Sequence, residues 1–130
     1  MADLQRIMHV EDDPSIQQVA KIALEAVGGF TVHTCGSGQQ AIADYDAFAP
    51  QLILLDVMMP GMDGPTTLQQ LQQQFDLSKV PAVFMTAKVQ SSEVASYKKL
   101  GAADVVIKPF DPMMLSNQIR QIWLDFHASN

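Results

Sequence analysis

The 130-residue chain predicts an α/β domain, a doubly wound parallel sheet of five strands flanked by five helices. Three observations lead there. Apolar runs of strand length alternate with segments of helical period, which implies parallel pairing through right-handed crossovers. The middle run, "LILLD" at 52–56, is apolar at consecutive positions, as a strand covered on both faces should be. The runs also end in acids, a threonine and a lysine, at the edge where such sheets gather their working groups.

The first strand is expected at 5–10 and stops at "VEDDP", where Glu11, Asp12 and Asp13 stand side by side. A helix follows, with Asp13 as its cap, Pro14 at its first position and Gly28–Gly29 at its end. Ile16, Val19, Ala20, Ala23, Ala26 and Val27 recur at steps of three and four and form its expected buried face. Further strands are expected at 30–34, 51–56, 81–86 and 104–108. The segment "TTLQQLQQQF" turns Leu68, Leu71 and Phe75 inward and its glutamines to solvent, with Asp63 closing the loop before it and capping it. The last helix opens at Asp111–Pro112 and presents Leu115, Ile119, Ile122 and Phe126 on one side. No internal repeat or linker interrupts the pattern, so 1–130 reads as one domain.

Composition narrows the function. Hydrophobic residues make up 48% and charged residues 17%, ordinary for a globular protein of this size. No apolar run is long enough to span a bilayer, and the start lacks a basic-then-apolar signal, so no membrane partner is expected. Net charge is −6 with eight scattered Lys and Arg, which argues against direct nucleic-acid contact. Cys35 is the single cysteine, so a reducing, cytoplasmic setting is expected.

The strand ends define the chemistry. Strand one ends at Glu11–Asp12–Asp13, strand three at Asp56, strand four at Thr86–Ala87 and strand five at Lys108–Pro109. Carboxylates held together need a cation, and all-oxygen ligands select a hard one such as Mg2+. An opposing lysine and a threonine hydroxyl can hold anionic oxygens. The set suits phosphoryl transfer, with one carboxylate as nucleophile and an aspartyl phosphate as product.

"IMHVEDDP", "LILLDVMMPGMDGP", "VFMTA" and "VVIKPFDP", in that order and spacing, make the sequence similar to response-regulator receiver domains of two-component signalling, the CheY-like family, over essentially the whole chain. The resemblance implies a (βα)5 flavodoxin-like fold with strand order 2-1-3-4-5. It implies Asp56 as phosphoacceptor and Mg2+ (or Mn2+) held by Asp12, Asp56 and the backbone carbonyl of Met58, with Glu11 acting through water. Thr86 and Lys108 would contact the phosphoryl oxygens, and the Lys108–Pro109 peptide would be cis. The donor would be a histidine kinase or phosphotransfer protein. The face of helix four, strand five and helix five, with Tyr97, Lys98 and Lys99 as contact residues, would change the binding of an output protein. The domain would catalyse only its own phosphorylation and dephosphorylation, as a monomer or a weak phosphorylation-dependent dimer.

Two departures qualify the resemblance. The family's rotating aromatic, three residues before the lysine, is Val105 here. That keeps a second expectation open, a phosphate sink or relay, by itself or as part of a hybrid kinase, with little output switching. The chain also stops soon after the last helix, so the expectation is a receiver without an output domain, either stand-alone or cut from a longer protein. A phosphohydrolase is disfavoured because the position two after Asp56, where a second acid would stand, is Met58. That apolar residue should instead hinder water and give a phosphoryl lifetime of minutes or longer, with Lys88 as the other flanking position. Flavin or dinucleotide binding is weaker still, since "CGSG" lacks the spacing of a G-x-G-x-x-G loop after strand one. Met58, Met59 and Met62 are expected to line the site. His9, His33 and His127 are expected to be structural or exposed, and Cys35 a small filler near strand two.

Overall fold

The computed structural model describes residues 3–129. Strands β1 (Arg6–Val10), β2 (Thr31–Cys35), β3 (Leu52–Asp56), β4 (Ala82–Thr86) and β5 (Asp104–Ile107) alternate with helices α1 (Pro14–Ile22), α2 (Gly38–Phe48), α3 (Gly64–Gln74), α4 (Ser91–Lys99) and α5 (Leu115–Ala128). The sheet is wholly parallel in the order β2-β1-β3-β4-β5, as expected. Every strand begins within one residue of its expected place.

The sheet divides two cores. Ile7, Leu52, Leu54, Val83 and Met85 meet Ala20, Leu24, Ile119 and Trp123 on the face covered by α1 and α5. Met8, Ile53, Leu55 and Phe84 meet Ala41, Tyr45, Leu68 and Leu71 on the other face. Alternation of side chains along each strand sends neighbours to opposite cores, so β3, between both layers, is buried at all five positions. Asp13 and Asp63 cap α1 and α3 as expected, accepting from Ser15 N–H and Thr66 N–H at 2.8 Å each. The glutamines of α3 lie largely in solvent, while Leu68 and Leu71 are buried and Phe75 half-buried.

The first helix departs from its expected face. After Ile22 it continues as a π-helical turn, Ala23–Val27, which holds one more residue per turn and rotates all that follows. Leu24 swings into the core, while Val27 and Ala26 turn to solvent; Val19, ahead of the turn, is also exposed. The last helix is also displaced: Asp111 accepts from Met113 N–H at 2.9 Å and closes a turn, and α5 starts at Leu115. Trp123 is buried beside Leu115, Ile119 and Ile122, and Phe126 is half-buried.

Ser116 joins these two irregularities. Its buried hydroxyl donates to the Ala23 carbonyl at 2.7 Å, where the helical register changes. Ser116→Ala removes that donor from a buried contact between α5 and the π-helical turn. It should lower unfolding free energy by about 1–3 kcal/mol in urea titrations, whereas an unchanged midpoint would mean that the carbonyl is satisfied without it.

Candidate functional site

Parallel strands deliver their carboxyl ends to one rim, and sheet hydrogen bonds carry the register just past each strand. Glu11 N–H donates to the Cys35 carbonyl at 2.9 Å, Val57 N–H to Met85 at 3.1 Å, and Lys108 N–H to Thr86 at 2.9 Å. The residues named from the sequence are therefore held by backbone before their side chains make any contact. Gly64 brings α3 against the same place. Its N–H donates to the Val57 carbonyl at 2.9 Å, and a Cβ there would lie 2.3 Å from the Asp56 carbonyl oxygen. Only glycine permits that approach.

Glu11 and Asp56 are buried and Asp12 is exposed; one carboxylate oxygen from each lies within 4.8 Å of the others. Lys108 Nζ reaches across from the end of β5 and donates to Glu11 Oε1 at 2.8 Å and Asp56 Oδ1 at 2.9 Å. Three carboxylates against one ammonium leave a formal charge of −2. A divalent cation would balance that deficit, and its all-oxygen ligand set fits a hard ion.

Burial pushes the Glu11 carboxyl above its ordinary pKa, more than Lys108 and the Asp13 N–H pull it down, and the Asp56 charge adds to the rise. Burial alone would depress the Lys108 ammonium, but its hydrogen bonds to Glu11 and Asp56, with their charges, leave its pKa raised. The ammonium thus stays protonated as the clamp between two strands. The buried Thr86 hydroxyl accepts from Lys88 N–H at 3.1 Å and keeps its own proton to donate. The Lys108–Pro109 peptide is cis.

The loop after Asp56 differs from expectation. Met58 is 72% exposed, Met59 is buried in the core under α2 and α3, and Met62 turns toward Gly38 at the start of α2. The three methionines do not line the site together, because successive residues of the loop leave the rim in different directions. Lys98 and Lys99 are exposed, but Tyr97 is half-buried, its ring edge-on to Phe84 at 5.1 Å. Phe84 pairs in register with Val105, which is itself half-buried. Tyr97 is therefore a core-facing residue on α4, drawn in by the neighbouring ring.

Sequence reading did not find the double contact of Lys108. Its signal was the unbalanced charge, but a lysine 97 residues from Glu11 gives no local cue to which acid it will choose. Nor did it find the pairing of His33 with Asp44 across β2 and α2, at 2.8 Å. His127 packs its ring against Trp123 at 4.0 Å, consistent with a structural role.

The fold and this rim define a receiver-type signalling domain, and the chain belongs to the response regulator receiver domain family, whose model matches residues 7–120. It is a regulatory domain of two-component signalling. The transcriptional regulatory protein CseB of Streptomyces coelicolor is 36% identical over 129 residues, 98% of this chain and 53% of that protein. The DNA-binding response regulator MtrA of Mycolicibacterium smegmatis is 39% identical over 116 residues, 89% of this chain and 49% of that protein. The chain thus spans about half the length of these curated relatives. Chemotaxis protein CheY4 of Vibrio cholerae superposes with a TM-score of 0.84 at 25% identity, covering 92% of this chain and 98% of that one. No helix among the described residues is long and apolar enough to cross a membrane.

His9 lies in β1 directly before this rim, fully buried, and among the described residues neither ring nitrogen has a hydrogen-bond partner. Burial, and secondly the Lys108 charge, hold its pKa down to about 4 from 6.5. The folded chain refuses a proton that the unfolded chain accepts. The stabilisation is therefore complete above pH 6.5 and is lost as pH falls toward 4, up to about 3 kcal/mol. Urea titrations across that range should show the loss in the native sequence and a flatter profile in His9→Leu; equal slopes would contradict this.

Proposed function

We propose that this domain is a Mg2+-dependent phosphoacceptor switch, with Asp56 as the residue that takes the phosphoryl group. The observation that carries the reading is the Lys108 ammonium bridging buried Glu11 and Asp56, with the Asp12 carboxylate in the same cluster. Asp56, Asp12 and the Met58 carbonyl are the proposed protein ligands of the metal, and Glu11 acts through water. When bound, the ion neutralises the carboxylates and the phosphoryl oxygens, so that an anion can approach an anion.

The chain's own residues do the rest. An Asp56 carboxylate oxygen forms the new P–O bond as the donor's bond to phosphorus breaks; the donor departs with that electron pair. Lys108 transfers its hydrogen bond from the Asp56 carboxylate to a phosphoryl oxygen and keeps Glu11. The Thr86 hydroxyl donates to a second oxygen, and positioning supplies most of the catalysis. The donor is a histidine kinase or phosphotransfer protein, consistent with a largely apolar cleft of about 440 Å3 beside Lys108, lined by Ile16, Val19, Pro109 and Phe110. The setting is cytoplasmic.

The output passes through the α4–β5–α5 face to a protein partner. Val105 has no ring to rotate, but its register partner Phe84 holds the Tyr97 ring edge-on at 5.1 Å, which keeps an aromatic near that strand. That favours a switch over a passive phosphate sink. Met58 stands at the mouth of the site as an apolar, exposed side chain that does not orient water.

Intact-mass spectrometry with Mg2+ and acetyl phosphate tests the reading. The native chain should gain one phosphoryl group, and Asp56→Asn should gain none. After removal of the donor the adduct should persist for minutes or longer. Uptake by Asp56→Asn would overturn the assignment of the acceptor, and loss within seconds would overturn the role given to Met58.

A further inference from the structure

A second cluster of ligand-bearing side chains lies beside the acid rim, on the neighbouring strand β2 and on α2. His33 and Cys35 are two residues apart on the edge strand β2, so their side chains share one face of the sheet, the face covered by α2. Asp44, on α2, meets them there. One ligand atom from each of the three lies within 4.8 Å of the others, and His33 Nε2 is 2.8 Å from Asp44 Oδ2. We propose that His33, Cys35 and Asp44 form a binding site for a borderline-soft divalent cation, Zn2+ foremost.

The donor set separates this site from the rim. A thiolate and an imidazole favour zinc and its neighbours, whereas the carboxylates of Glu11, Asp12 and Asp56 favour Mg2+. Charge also fits. Thiolate and carboxylate together cancel the ion's two positive charges, and neutral imidazole adds none, so the partly buried complex carries no net charge to desolvate. Tetrahedral zinc bonds place ligand atoms roughly 3.3–3.8 Å apart, and one ligand atom from each of the three residues already lies within 4.8 Å of the others. The Cys35 thiol closes the inner side. His33 and Asp44, each 36% exposed at the side chain, keep the outer side within reach of water.

Surrounding groups hold the ligands. The Phe48 ring stacks on the His33 imidazole at 5.1 Å and sets its plane. Binding exchanges the His33–Asp44 hydrogen bond for two metal bonds. Burial and the Asp44 charge keep the Cys35 thiol protonated, with a pKa of about 12, so forming the Zn–S bond releases one proton and involves no redox change. The ion would fasten the edge strand to α2. It would also fix the strand end whose Cys35 carbonyl receives the Glu11 N–H.

The test uses tag-free full chain with saturating Mg2+ to occupy the acid rim, and Co2+ as a spectroscopic probe for Zn2+. One equivalent of Co2+ should produce a sulfur-to-cobalt charge-transfer band in the near ultraviolet, and Zn2+ should abolish it by displacement. His33→Ala, at a half-exposed position where folding is readily checked by circular dichroism, should weaken binding by at least about 100-fold, beyond the usual cost of outer-shell changes. Cys35→Ser should abolish the band. No band at equimolar Co2+, or a band of unchanged affinity in folded His33→Ala, would overturn the proposal.

Discussion

Everything at the carboxyl rim is arranged around one electrostatic problem, the crowding of Glu11, Asp12 and Asp56. Two ionised carboxylates held within 4.8 Å of each other repel by a few kcal/mol, on the order of 3 or more, at the effective dielectric of a partly buried site. Lys108 answers part of that repulsion through its short bonds to Glu11 and Asp56. It does so from the last strand of the sheet, so the ends of β1, β3 and β5 are tied through one ammonium. Removing one partner of such a pair would leave a buried charge uncompensated, so the clamp also steadies the fold. What the lysine leaves uncancelled is the negative charge that a divalent cation would meet.

The fold makes this arrangement reproducible. Parallel strands buried on both faces supply stability far from the rim, and their hydrogen bonds fix the backbone of the first residue beyond each strand. The working side chains thus sit on rigid elements, with only short loops to place them. Gly64 completes the placement by letting α3 begin against the Asp56 backbone.

How much of this could be read from sequence depends on whether the signal was local. Strand positions and the convergence of Glu11, Asp12, Asp56 and Lys108 followed from apolar periodicity and from the direction of parallel strands, and the Asp13 and Asp63 caps from acids standing just before each helix. The π-helical turn did not, because one added residue leaves the apolar spacing almost unchanged while rotating Val27 out and Leu24 in. The burial of Met59 and the inward turn of Tyr97 depend on neighbours distant in sequence, the α2–α3 core and the Phe84 ring. His33, Cys35 and Asp44 looked unrelated for the same reason: strand alternation aligns the first two, and only the packing of α2 brings the third.

An acid rim whose charge Lys108 balances only in part should take up a divalent cation. Isothermal titration calorimetry of the native chain and Asp12→Asn with Mg2+ tests it most directly, since Asp12 is exposed and its replacement leaves the core untouched. One Mg2+ should bind per native chain, and binding should be weaker by at least about tenfold in the variant. Absence of Mg2+ binding to the native chain, or equal affinity in the two proteins, would contradict it.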